Sequence, residues 1–348
     1  MESLNKEIQF IRANKTKFGG AEVYLSRLSS ALDRQDIKHE IIHSRLPKFL
    51  PSWLRVALFN TRVCIFKKDK FYFSLERITC PDIYRAGDGV HKVFLTVEKK
   101  SKLNPLHFVY LYLEKRCFQN AKRIIANSEM IKRQIIDTYS ISPQKIDIVY
   151  NGIEPKEYDC KNSFEKLSKE FSINKGQPIL LYVGSGFKRK GVEEFLKIFA
   201  KLKNSSVMAF ILGKEKNLNY YKNLSKELKI DKQVVFTGAR EDVDDFYAIS
   251  DIFLFPTHYE PFSNVALEAM SFGNVIFTTR QNGVSEILND EFIMDNPQDF
   301  SIVKKIDKLL ADQVSLKKVQ KSNKLLSEQF SIEKNLSETL KVVNEVIN

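Results

Sequence analysis

A chain of 348 residues is long enough for about two domains, and an apolar fraction of 43% suffices for ordinary buried cores. The net charge of +12 is lodged in one half: residues 1–150 hold 27 Lys and Arg against 15 Asp and Glu, whereas residues 151–348 hold 28 of each. The longest wholly apolar stretch of the first half, residues 108–113, falls far short of the ~20 residues a membrane-spanning helix needs, and the charged N-terminus lacks the apolar region of a secretion signal. The basic half therefore points to an anionic partner outside the bilayer core: a membrane surface, a nucleic acid or a phosphorylated acceptor. Cys64, Cys80, Cys117 and Cys160 lie far apart with no C-x-x-C pair. The expectation is reduced thiols in a cytoplasmic protein, and no zinc site.

Strand and helix patterns alternate along the whole chain. Residues 8–13 read as a first strand and 21–33 as its amphipathic helix, with Val23, Leu25, Leu28 and Leu32 largely on one side. A short strand follows at 39–43. Weaker strands lie at 71–75 and 82–86, and 105–121 is a helix. Residues 123–127, 129–139 and 145–151 give strand, helix, strand. A polar, Lys-rich stretch, 154–174, is expected to open with the interdomain linker. Beyond Gly176-Gln-Pro178 the alternation restarts, with apolar runs at 179–183, 208–212, 234–237, 252–256 and 275–278, each followed by a helical segment. Buried parallel strands read this way. Two βα arrays predict an α/β protein of two doubly wound domains, 1–153 and 154–331. The remainder, 332–348, is a last helix that packs on its own domain or crosses back to the first.

Two segments look chemical. In Tyr182-Val-Gly-Ser-Gly-Phe-Lys-Arg-Lys-Gly191 a strand ends, small residues turn the chain, and a helix is expected near Gly191. Gly184 and Gly186 let backbone approach a ligand, while Lys188, Arg189 and Lys190 crowd a helix end that disfavours cations, which suggests a bound diphosphate. The dinucleotide fingerprint does not quite fit, because the third glycine is displaced and no acidic residue ends the next strand. The alternative is a solvated basic loop. In Glu260-Pro-Phe-Ser-Asn-Val-Ala-Leu-Glu268, Pro261 bars a helix and Ser263 or Asn264 caps one. Glu260 and Glu268 then flank one helix N-terminus, Glu268 some ~6 Å inside. Phosphate fits on the helix end, with a hydroxylated ring at each carboxylate.

These blocks resemble the retaining glycosyltransferases of family four, whose fold is GT-B. Gly19-Gly-Ala-Glu22, Ile124-Ile-Ala-Asn-Ser128, Tyr150-Asn-Gly-Ile153, Arg189-Lys-Gly191, and 260–268 with Gly283-Val-Ser-Glu286 carry the likeness. Val-Gly-Ser before Arg-Lys-Gly and the segment Gly-Ala-Arg240-Glu-Asp-Val are similar to the lipopolysaccharide-core glucosyltransferases. The resemblance implies two Rossmann-like domains with the active site in the cleft between them. The N-terminal domain would hold the acceptor, and the C-terminal one the donor.

Several roles are implied residue by residue. Arg189 and Lys190 grip the donor diphosphate. Glu268 holds ribose hydroxyls and Glu260 the donor sugar, with amides around Phe262, Ser263 and Asn264 near sugar and phosphate. Gly184 admits the phosphates, Gly19 and Gly20 let the first domain close on them, and Arg240 lies near the nucleotide. Where many relatives carry an extra Arg after the strand glycine, this chain has Ser185, so Arg240 or Lys156 is expected to balance the phosphate charge. Lys190 and Glu260 are the catalytic expectations in this half. Retention follows from the resemblance alone, and no metal or other cofactor is expected. Asp242, Asp244 and Asp245 read as a helix start rather than a metal cluster.

In Arg85-Ala-Gly-Asp-Gly-Val-His91, Asp88 and His91 are candidates to position or deprotonate the acceptor. A glycine-rich turn with solvated side chains explains them equally. His258 reads as structural. Residues 47–70 combine Trp53, Leu58 and Phe66 with Arg55, Arg62, Lys67 and Lys68, the mark of an interfacial helix. An ordinary packed helix with a basic exposed side is the alternative.

The function expected is transfer of a hexose, from UDP-glucose or UDP-galactose, to a glycolipid, with lipopolysaccharide core favoured over another lipid-linked or capsular glycan. The place expected is the inner face of the cytoplasmic membrane, on its anionic surface. A Rossmann-type dehydrogenase and a nucleic-acid-binding protein are the competing classes. No nucleic acid is expected, since no known nucleic-acid module appears.

Overall fold

The structure is a computed structural model that describes residues 7–15, 20–101, 103–154 and 156–347. Two compact units make it up: Met1–Glu154 with Ser331–Asn348, and Pro155–Phe330.

In the first unit six short apolar runs become parallel strands: β1 (Ile8–Ile11), β2 (His39–Ile42), β3 (Phe71–Ser74), β4 (Ile83–Arg85), β5 (Arg123–Ala126) and β6 (Ile146–Ile148). Their order is β2-β1-β3-β4-β5-β6. They are linked by α1 (Gly20–Asp33), α2 (Ser52–Ile65), α3 (His91–Val97), α4 (Pro105–Asn120) and α5 (Glu129–Tyr139). Alternation along the strands sorts the core into two layers. Phe10 and Phe73 meet edge to face at 5.2 Å under Leu28 and Leu32 of α1. Ile11 and Tyr72 face the other way, onto Phe59 and Val63 of α2. The strand order reverses between β1 and β3, and the carboxyl ends of such a pair form the crevice where doubly wound sheets bind ligands. Arg12 follows β1 there, and Glu76 and Arg77 follow β3.

The second unit repeats the plan. Its elements are α6 (Cys160–Phe171), β7 (Ile179–Val183), α7 (Phe187–Lys190), α8 (Val192–Phe199), β8 (Met208–Leu212), α9 (Leu218–Glu227), β9 (Val234–Gly238) and α10 (Val243–Ile249). They continue with β10 (Ile252–Phe255), α11 (Asn264–Ser271), β11 (Val275–Thr279), β12 (Ile293–Met294), α12 (Ile302–Ala311) and α13 (Gln313–Ser327). The parallel order β12-β11-β10-β7-β8-β9 reverses between β7 and β10. The ligand-binding crevice of this sheet is thus bounded by the loops after Val183 and Phe255.

The last helix, α14 (Ile332–Ile347), belongs to the first unit, where Leu336, Leu340 and Val343 join the core under α1. The Tyr150-Asn-Gly block is its dock. Asn335 Nδ2 donates to the Tyr150 carbonyl at 2.6 Å, and Ile153 bridges Ser331. A Cβ on Gly152 would stand 2.4 Å from the Ser331 carbonyl oxygen, so no side chain fits.

Beyond the start of the polar stretch 154–174 the chain is helical: Asp159 caps α6 by accepting from Lys161 and Asn162 N–H, and Leu167 buries its inner face. Two expectations are corrected. Cys64 and Cys80 are joined in a disulfide, not reduced. Sixteen residues separate them in sequence, but the end of α2 comes to lie beside the turn before β4, with Cα atoms 5.7 Å apart. Finally, the cations after β7 do not crowd the N-terminus of a long helix. They form their own turn, α7, and the next helix opens with Glu193 and Glu194, the charges its dipole favours.

Candidate functional site

At the crevice of the second sheet, Gly191 breaks the chain between α7 and α8. It has φ +78°, and a Cβ there would lie 1.8 Å from the Pro256 carbonyl oxygen. This close approach locks the α7 turn against the end of β10. His258 N–H and Thr257 Oγ1 both donate to the Arg189 carbonyl, at 2.9 and 3.2 Å. The side chains then converge. Arg189 Nη1 reaches Glu260 Oε2 at 3.2 Å, and Lys190 Nζ reaches the same oxygen at 3.4 Å. Arg189 also donates to the Tyr259 carbonyl. Lys190 lies over the Phe255 ring and folds across Gly184, where a Cβ would be 3.0 Å from its Cδ.

Glu260 is held at both ends of its backbone. Its N–H donates to Gln281 O at 2.9 Å, and its carbonyl accepts from Gly283 N–H at 3.0 Å. Burial pushes its carboxyl up, but Lys190 and Arg189 outweigh that and hold it below the ordinary carboxylate range. Two cations fixed on one carboxylate still have donors to spare, since an ammonium offers three N–H groups and a guanidinium five. The group can engage an anion without losing Glu260.

Downstream, Ser263 Oγ caps α11 by accepting from Ala266 N–H at 3.3 Å, and Asn264 begins the helix. Phe262 and Ser263 are buried. Glu268 sits one turn inside, half-buried, and accepts from Tyr247 OH at 3.3 Å. Glu260, the α11 N-terminus and Glu268 thus follow one another along a single loop and helix. His258 pairs with Glu194 at 3.0 Å. Sequence reasoning passed over Tyr182, whose buried hydroxyl makes no hydrogen bond among the described residues and faces the charges of Arg189 and Glu260.

The two cations expected to balance the phosphate charge are already matched. Arg240 meets Glu170 at 2.7 Å and Asp242 at 2.8 Å and lies over Phe246, two strands from the β7–β10 crevice. Lys156 meets Asp244 at 2.6 Å. Asp244 and Asp245 stand in the first turn of α10, with Asp242 before it.

At the crevice of the first sheet a larger polar network is buried. Arg12 bonds Glu22 at 2.8 Å, Glu76 at 3.2 Å and Asp88 at 3.5 Å. Behind it Arg77 meets the fully buried Glu114 at 2.9 Å. Glu114 also accepts from Tyr139 OH and His91 N–H, each at 2.6 Å. Burial lifts the Glu76 carboxyl above its ordinary range in spite of Arg12.

Asp88 and His91, adjacent in the motif, part company here. Asp88 stands half-exposed at the mouth, whereas His91 is packed against Phe94, Tyr110 and His107. Burial, with Arg77 close by, pulls the imidazole down to about 4. Glu76, Arg77 and Glu114 were missed in sequence. The visible signal was Glu76-Arg77 directly after a wholly buried strand, charge where the chain leaves the core. Gly20 opens α1, and Gly19 lies outside the described residues.

On α2, Trp53 and Arg62 are exposed, and so are Leu58, Ile65 and Phe66. Phe108 and Tyr112 of the adjoining α4 are also exposed. Lys68 is exposed, but Lys67 is structural: it bonds Asp82 and the Cys80 carbonyl, each at 2.8 Å. Arg55 turns away from solvent into a cavity beside Tyr110. Among the described residues no helix is long and apolar enough to cross a membrane, and no group of three or more His, Cys, Asp or Glu is placed to hold a metal ion.

Two family models match the chain: glycosyl transferases group 1 over residues 163–326, and glycosyltransferase family 4 over residues 87–157. The lipopolysaccharide glucosyltransferase WaaG of Escherichia coli (strain K12) is 29% identical over 220 residues, covering 60% of this chain and 58% of that protein. The chain matches a little over half the length of such curated relatives. The crystal structure of WaaG superimposes with a TM-score of 0.81 at 20% identity, over 97% of this chain and 99% of that one. That of Anabaena HepE in complex with UDP and glucose does so at 0.76 and 16%, over 98% and 100%. These likenesses establish the fold: two parallel six-stranded sheets of the GT-B type.

Proposed function

This chain belongs to the glycosyltransferases of GT-B fold, and from that premise we propose that it moves a hexose, with retention, from UDP-glucose or UDP-galactose to a glycolipid. Lipopolysaccharide core is the preferred acceptor, ahead of another lipid-linked or capsular glycan. The observation that carries the reading is the Arg189–Lys190–Glu260 group at the β7–β10 crevice, with Glu268 one helix turn beyond the Ser263 cap.

Breaking the bond between sugar and nucleoside diphosphate places charge on the departing phosphate oxygen. Lys190 and Arg189, preorganised and partly desolvated, stabilise that charge as it develops, and such groups are worth far more there than in water. Glu260 orients them and turns its carboxylate to sugar hydroxyls. Glu268 accepts from the paired hydroxyls of the ribose, and the α11 end favours the phosphate. In the first unit Asp88, at the mouth beside Arg12, positions the acceptor hydroxyl. In the same-face mechanism the leaving phosphate takes the acceptor proton, so positioning and charge stabilisation supply the rate without a metal.

The UDP seen with Anabaena HepE and the lipopolysaccharide glucosyltransferase activity of WaaG support the donor and acceptor classes. The exposed Trp53, Leu58 and Phe66 with Arg62 and Lys68 support docking on the anionic inner face of the membrane. The test is nucleotide release in EDTA across a panel of UDP- and GDP-sugars, with a Glu268→Ala variant alongside. Hydrolysis of one donor, lost in the variant, is expected. If UDP and GDP fail to raise the melting temperature, the nucleotide-sugar reading is wrong.

A further inference from the structure

Beside α2 the first unit holds a cavity of about 400 Å³, the size of a small-ligand pocket. Lys15, Lys48, Arg55 and Arg77 line it, with Glu76 as the one carboxylate among its described lining residues. The pairing inside is uneven. Glu76 is matched by Arg12 at 3.2 Å, and Arg77 by Glu114 at 2.9 Å. Lys15, Lys48 and Arg55 have no such match among the described residues. The Nε of Arg55 is buried and makes no hydrogen bond among the described residues. A buried donor left in that condition costs stability, and the same side chain lines the cavity.

The cavity does not end there. A second one, of about 620 Å³, shares Lys15, Ser44, Leu46 and Phe59 with it and adds Arg45, Arg62 and Lys70 against a single carboxylate, Glu40. Glu40 already accepts from Gln9. Arg55, Phe59 and Arg62 follow one another on α2 at the spacing of one helix face. The two cavities thus form one groove along that face, with cations at intervals and an apolar floor of Leu46 and Phe59.

We propose that this groove binds a phosphorylated glycan as the acceptor: Lys15, Lys48 and Arg55 hold a phosphoryl group, Phe59 and Leu46 underlie the sugar ring, and Arg62 and Lys70 take a second anionic unit. The word acceptor rests on the glycosyltransferase reading; the phosphate chemistry rests on the groove alone. A guanidinium and two ammonium groups suit the three oxygens of a phosphate monoester, and a neutral sugar would leave them unmatched.

The test uses the full chain with saturating UDP, which occupies the donor site. Binding of mannose 6-phosphate and of mannose is measured by calorimetry, for the wild type and for Arg55→Gln, Lys48→Gln and Lys317→Gln, the last an exposed cation on α13 of the second unit. The phosphate ester is expected to bind and mannose not to. Arg55→Gln weakens the ester by about ten-fold or more, Lys48→Gln less, and Lys317→Gln not at all. An unchanged UDP-induced melting shift in Arg55→Gln certifies its fold, and Lys48→Gln, at an exposed position, serves as the second probe. Equal binding of mannose and its phosphate overturns the proposal, as does ester binding indifferent to both substitutions. Arg55-dependent binding of phosphatidylglycerol vesicles without ester binding also overturns it, since the groove would then be a headgroup site. Arg55-dependent ester binding in a protein that binds no UDP sustains the groove and removes the glycosyltransferase reading.

Discussion

The two units use one architectural rule and reach opposite electrostatic solutions. Each sheet reverses its strand order once, and each gathers charged side chains at the carboxyl ends flanking that reversal. In the second unit the gathering is small and near the surface: two cations share one carboxylate oxygen. In the first unit it is deep, with Arg12 and Arg77 each tied to carboxylates and Glu114 wholly enclosed. The difference teaches that position in the topology selects where polar groups collect, whereas burial decides what they do. A partly exposed cluster with N–H donors in reserve can take up a ligand. A saturated buried one fixes the loops around it, because a buried charge is tolerated only when fully paired.

The sharpest way to break this contrast is to unpair the buried network. Glu114→Ala strands Arg77 and removes the acceptor of Tyr139 OH and His91 N–H. A loss of about 3–5 kcal/mol is expected, read as an earlier urea transition of the first unit. UDP should still stabilise the second. A small shift, under about 1 kcal/mol, would mean the network behaves like surface ion pairs.

The mirror experiment is Lys190→Ala, which leaves Glu260 paired with Arg189. Turnover should fall by about 10²–10³, the usual cost of removing one donor to developing charge, with the urea midpoint nearly unchanged. Equal loss of stability and of turnover would merge the two clusters into one kind. A third contrast concerns the covalent brace. Cys64→Ser with Cys80→Ser opens a loop of sixteen residues, and by loop-closure entropy it should cost the first unit about 3 kcal/mol. Reducing agent should reproduce the effect in the wild type and do nothing to the double variant.

How far the sequence disclosed this is uneven in the same way. Runs such as Ile179–Val183 and Met208–Leu212 were legible to the residue, because strands buried on both faces admit no polar residue until they end. The two-residue β12 (Ile293–Met294) carries no periodicity and went unseen. Around the second crevice, Glu260 and Glu268 lie eight residues apart on one loop and helix, so their grouping could be read from local spacing, whereas Lys190, seventy residues earlier, was tied to the same donor only by the family resemblance. The first crevice joins residues from position 12 to position 139, a set that only the fold assembles. The disulfide was hidden for the same reason. Lys67 and Arg55 looked alike as basic residues of one helix segment, yet one pairs with Asp82 and the other faces a cavity, a distinction set by which neighbours the helix meets.

The subtlest difference between the units should appear in pH dependence. His91 is pulled down to about 4 by burial, with Arg77 adding to it. In the unfolded chain the same imidazole titrates near ~6.5. Between these values the unfolded state binds a proton that the folded state refuses, so stability falls as pH falls. The contribution is complete above ~6.5, about 2 kcal/mol of it is lost by pH 5, and the loss continues until the folded pKa is reached. His91→Phe should flatten that slope in the transition of the first unit and leave any slope of the second untouched. Glu260 has the same sign but a lower window: its carboxyl is held below the ordinary range, so its contribution is present at neutral pH and fades only in acid. A histidine resonance at position 91 that titrates near neutrality would show that water reaches the ring. The network around Glu114 would then be open to solvent like the second cluster, and the contrast between a sealed network and an open one would fail at a residue packed inside it.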